Sequence, residues 1–67
     1  MQLQDAIQLT NAELQKWGLN DWTLKFNNRL TRALGRCLFS KNTIELQTRF
    51  VKENPEAVVL DTIRHEI

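Results

Sequence analysis

Trp22-Thr23-Leu24-Lys25-Phe26-Asn27 alternates large apolar side chains with polar ones. Successive side chains of an extended strand point to opposite faces, so Trp22, Leu24 and Phe26 share one face while Thr23, Lys25 and Asn27 share the other. A half-buried strand follows from that pattern. Upstream of it, Leu3, Ile7, Leu14 and Trp17, with Ala6 and Thr10 between them, recur at steps of three and four, and Gln4, Gln8, Gln15 and Lys16 fall elsewhere. This period predicts an amphipathic helix over residues 3–17, closed by Gly18 in the left-handed conformation that glycine adopts without steric cost.

Downstream of the strand, Asn27-Asn28 breaks the alternation and opens a connection. Leu30 and Leu34 are spaced for a helical turn over residues 29–33, and Gly35 opposes anything longer. Residues 34–39 form a short apolar-rich run. Ser40-Lys41-Asn42 then separates it from the renewed alternation of Thr43-Ile44-Glu45-Leu46, which fits two strands joined by a three-residue hairpin loop. Thr48 is placed to cap a short helix through Arg49, Phe50, Val51 and Lys52. Asn54-Pro55-Glu56 reads as a second helix start: Asn accepts from exposed amides, Pro has no amide to lose, and Glu suits the positive end. Val59, Leu60, Ile63 and Ile67 give that helix an apolar stripe with no stop signal, so the sequence reads as cut within the helix.

The expected fold is α+β. An amino-terminal helix and a short connecting helix surround a small three-stranded antiparallel sheet, and the helix over residues 54–67 packs on one face. Leu24, Phe26, Ile44, Leu46, Val59 and Ile63 are expected to share one core, with Phe26→Ala costing about 3–5 kcal/mol. Trp17, Trp22 and Phe26 are read as core rather than as a stacking platform for bases.

A chain of 67 residues makes at most one domain, with a thin core and marginal stability. The single cysteine, Cys37, excludes an internal disulfide and reads as a packing residue rather than a metal ligand. With 42% hydrophobic and 25% charged residues the composition is globular rather than disordered. No charged-then-apolar leader precedes the first helix, and no apolar stretch approaches the ~18 residues of a membrane span. A cytoplasmic protein with no membrane partner is expected. The net charge of +1 conceals an acid-free stretch, residues 22–44, that carries Lys25, Arg29, Arg32, Arg36 and Lys41. Such residues could contact DNA phosphates and release counterions, or form a solvated face. The solvated face is the expectation.

Zinc peptidases place His-Glu on a helix with a second His four residues after the first, so that both imidazoles reach the metal. His65-Glu66 stands on the last predicted helix, but the position four beyond His65 lies past Ile67. Alone, the pair reads as an ordinary polar helix surface. Asp61, four residues before His65, could orient the imidazole, though a solvated pair is the expected role.

The order of features is more specific than any one of them. Trp22-Thr23-Leu24-Lys25-Phe26-Asn27, Leu34-Gly35-Arg36-Cys37, Ile44-Glu45-Leu46 and Asp61-Thr62-Ile63-Arg64-His65-Glu66-Ile67 follow one another as in the SprT-like family, which the chain resembles over residues 3–67. That family has a leading helix, a strand ending in a polar residue, a Gly-x-Cys strand, an Ile-x-Leu strand and a helix beginning His-Glu-x-x-His. The resemblance implies a zinc metallopeptidase that hydrolyses peptide bonds of protein or peptide substrates through a zinc-bound water, with His65 as first zinc ligand and Glu66 as general base. It makes these residues the amino-terminal part of such a domain, inactive and without tightly held zinc when taken alone. Gln47 departs from the family, which usually has Ser there, and leaves Thr48 as the expected cap. The alternative is a non-catalytic nucleic-acid- or protein-binding module.

Overall fold

The alternation around Leu24 and Phe26 and that around Ile44 and Leu46 do form strands, and they lie side by side. The computed structural model describes residues 1–67. In order, its elements are α1 (Leu3–Lys16), β1 (Thr23–Asn27), β2 (Gly35–Leu38), β3 (Thr43–Gln47), α2 (Thr48–Glu53) and α3 (Glu56–Glu66), with a 3-10 turn at Phe39–Lys41. The fold is α+β, and no helix is long and apolar enough to cross a membrane.

The sheet is mixed, not antiparallel as expected. Its order is β1-β3-β2, with β3 in the centre. The β2–β3 hairpin is antiparallel, pairing Leu38 with Thr43 and Gly35 with Leu46, whereas β1 runs parallel to β3, pairing Leu24 with Ile44 and Phe26 with Leu46. Alternation reports faces, not neighbours. The short hairpin forces β2 and β3 together, while residues 28–34 are long enough for β2 to skip a place and leave β3 beside β1.

Local hydrogen bonds also differ from the sequence reading. No helical turn forms over residues 29–33; instead the Asn27 side-chain oxygen accepts from the Arg29 amide at 2.9 Å, a local Asn turn. The hairpin connection spans residues 39–42, and Asn42 takes the left-handed conformation at φ 47°. Gln47, not Thr48, caps α2: its Oε1 accepts from the Phe50 amide at 2.6 Å. Asn54 serves the preceding helix, donating to the Phe50 carbonyl at 2.8 Å, and α3 starts without a side-chain cap.

One face of the sheet carries all three helices. Leu46 meets Ala6 of α1, Phe50 and Val51 of α2, and Val59 and Ile63 of α3 in one buried cluster. Of the six residues expected in the core, Ile44, Leu46, Val59 and Ile63 are buried, Ile44 outside this cluster; Leu24 and Phe26 are only half-buried and pack against it. Trp17 is not core at all, being 59% exposed, and Trp22 stands edge-on to the exposed Phe39 at 5.9 Å. The buried face of α1 is Ala6, Thr10, Glu13 and Leu14, with the Thr10 hydroxyl donating to the Ala6 carbonyl at 2.7 Å.

Gly35 lets α3 and β3 close over the edge of β2. A Cβ there would lie 2.9 Å from Leu46 Cδ2 and 3.1 Å from the Glu45 carbonyl oxygen, with Thr62 Cγ2 at 3.6 Å. Gly35→Ala should therefore lower the melting temperature, and less so in a Leu46→Val background, where the crowding Cδ2 is gone at a smaller cost to the core. Equal losses in both backgrounds would place the crowding on the backbone instead.

Candidate functional site

α3 carries the residues of interest at its far end. Val59 and Ile63 face the core and are fully buried, and the 100° step between helical residues then turns Arg64, His65 and Glu66 to different sides. The His65 imidazole points outward, 75% exposed, with Nε2 3.6 Å from Asp61 Oδ2, whose side chain is 76% exposed. At that distance and exposure it is a loose, solvated pair. Glu66 is half-buried, and its charge is felt at Cys37 on β2. Burial first, and the Glu66 carboxylate second, push the Cys37 thiol above its ordinary 9.0, so it stays protonated and weakly nucleophilic.

Arg64 is tied inward. Its Nε and Nη2 donate to Glu13 Oε1 at 3.3 and 3.0 Å, and Glu13 Oε2 accepts from Trp17 Nε1 at 3.3 Å. These contacts join α1 to α3 across 51 residues of sequence. The bonds from Arg64 hold the Glu13 carboxyl below the ordinary glutamate value, against the opposing effect of burial and with help from Trp17 and Lys16. Sequence reading passed over Glu13, yet it sits in the row Ala6, Thr10, Glu13, Trp17 that marks one face of α1.

The open face of the sheet is polar. Glu45 of β3 stands in register between Lys25 of β1 and Arg36 of β2, bonded to Arg36 Nε and, at 3.4 Å, to Asn27 Nδ2. Arg36 holds its carboxyl low, burial opposes, and Asn27 and Lys25 add to the lowering. Of the basic residues singled out above, Arg36 is therefore already paired. Arg29 and Arg32 sit in the connection at one end of the sheet and Lys41 in the hairpin at the other, with Lys25 between, so the stretch is spread along the sheet rather than gathered.

Two buried carboxylates with depressed values set an acid limit. Each contributes stability that is complete above the ordinary glutamate value of 4.5 and is lost as pH falls through its lower folded-state value. The melting temperature should hold from neutral pH to about pH 5 and fall below it, with a shallower fall in Glu45→Gln, which starts from a lower plateau. A flat profile down to about pH 3 would show that neither pair matters to folding.

His65, Glu66, Asp61 and Cys37 do not converge: no group of three or more His, Cys, Asp or Glu is placed to hold a metal ion. A catalytic zinc takes three protein ligands and an open position, so residues 1–67 do not by themselves form such a site.

No curated protein and no solved structure is significantly similar to the chain. The model of the SprT-like family, in contrast, matches residues 3–67, which includes every element described above and the His65-Glu66 turn. The chain belongs to the SprT-like family.

Proposed function

We propose that this chain is the amino-terminal portion of a zinc-dependent peptidase domain, acting on protein or peptide substrates, with His65 as a metal ligand and Glu66 as the general base. The observation that carries the reading is the family match running through α3 to Ile67, with an accessible imidazole and an adjacent carboxylate on the last turn of that helix. Zinc, when bound, supplies the Lewis acidity that makes a water acidic enough to attack a peptide carbonyl near neutral pH. What the chain contributes is placement: Val59 and Ile63 seat α3 on the core, His65 keeps its ring open to solvent, and Glu66 presents a carboxylate one residue along. The further ligands must come from residues that follow Ile67, because none of those present stands beside His65 in a ligating group.

The test is a chain carrying the residues encoded after Ile67. A histidine four positions beyond His65, together with protein cleavage that falls about 10²–10⁴-fold in Glu66→Gln, supports the reading. No cleavage by the longer chain, or no histidine there, replaces it with a non-catalytic binding module, and cleavage unchanged by Glu66→Gln and His65→Ala overturns the roles given to these two residues.

A further inference from the structure

Beyond Ile63, the last fully buried residue of α3, the helix has nothing apolar driving it onto the core: Arg64 and His65 are exposed and Ile67 is 40% exposed. A helix end leaves its final carbonyls without intrahelical partners and frays unless something holds it. The only side-chain bonds from this turn to another element run from Arg64 to Glu13. Glu13 is well suited to hold it. Its side chain is 9% exposed, one oxygen takes both Arg64 bonds, and the other is occupied by Trp17.

We propose that Glu13, through Arg64, is a positioning residue for the His65-Glu66 turn: it fixes the rotation of the end of α3 against α1 and so sets the direction in which the imidazole and the carboxylate project. Arg64 immediately precedes His65, so a rotation of the turn that broke its bonds to Glu13 would swing both following side chains by the same angle. A lysine at position 64 would not substitute, since a single ammonium has no planar fork with which to donate to Glu13 through two separate nitrogens. The catalytic meaning of this placement rests on the peptidase reading, but the placement itself is a property of residues 1–67 and is measured without metal.

The experiment is amide hydrogen exchange and His65 ring NMR on the chain and on Glu13→Gln and Arg64→Lys. Expected is faster exchange at residues 64–67, several-fold to about tenfold given the solvent on the Arg64 side, with altered His65 ring relaxation. Val59 and Ile63, on the same helix but buried in the core, keep their protection. Uniform loss of protection along α3, or none, overturns the proposal. Should Glu13→Gln unfold, Arg64→Lys decides; unfolding of both also overturns it, because the pair would then support the whole fold rather than one turn. A metal-free result of either kind leaves the peptidase reading to be judged separately by cleavage.

Discussion

Leu46→Ala is expected to destabilise the chain by about 2–5 kcal/mol and to lower its urea midpoint sharply. Leu46 lies on the central strand, is fully buried, and is the strand residue that meets side chains from all three helices. Its truncation removes transfer energy and also opens a cavity that neither neighbouring strand can collapse into, since both are fixed by their ladders to β3. A chain of 67 residues has roughly 3–10 kcal/mol in total at 0.05–0.15 kcal/mol per residue, so a loss of this size consumes much of it. Phe26→Ala should cost less than its sequence pattern implied, because the ring is half-buried on an edge strand and packs on the cluster from outside. Urea unfolding followed by circular dichroism checks both. A cooperatively folded Leu46→Ala chain with an unchanged midpoint, or a larger loss for Phe26→Ala, would move the centre of the core away from β3.

The contrast between those two residues shows what the sequence carried. Alternation identified the inward faces of β1 and β3 correctly but could not say which strand lay in the middle, and burial depends on that position. The same limit hid the parallel pairing, because a strand has the same period in either direction. On α1 the periodic apolar residues included Ile7 and Trp17, which lie at the flanks and are 41% and 59% exposed, while Glu13 is buried. A carboxylate is read as surface until its partner is known, and Arg64 stands 51 residues away. Caps failed for a related reason: Gln47 has the reach to fold back onto the Phe50 amide and Asn54 the geometry to close α2, choices made by backbone direction rather than residue type. The ordered set ending in His65-Glu66 was legible, and so was the family, because that order survives without any knowledge of long-range contacts. The tie from Glu13 to Arg64 and the effect of the Glu66 charge on Cys37 were not, since each joins elements whose relative placement only the fold supplies.

Zinc added to residues 1–67 should shift the His65 ring signals only at large molar excess, without saturating at equimolar metal. One imidazole is present, and a catalytic site takes three protein ligands. Asp61 is the nearest second donor, but its carboxylate sits 3.6 Å from Nε2 on a solvated helix face, and both side chains are free to separate. Glu66 projects about a quarter of the circumference away from His65, so it cannot join the same coordination sphere without unwinding the turn. Cys37 holds its proton more tightly than a free thiol, which opposes its recruitment, because zinc binds the thiolate. The remaining coordination positions therefore stay with water, and the affinity is that of a lone imidazole helped weakly by one carboxylate. His65→Ala should abolish the residual shifts, and Asp61→Asn should reduce them slightly. Saturation at one equivalent, lost in His65→Ala, would mean that the end of α3 rearranges to gather donors that the folded chain keeps apart. In that case the Arg64 to Glu13 tie would have to open on metal binding, and exchange at residues 64–67 would rise as zinc is added rather than stay constant.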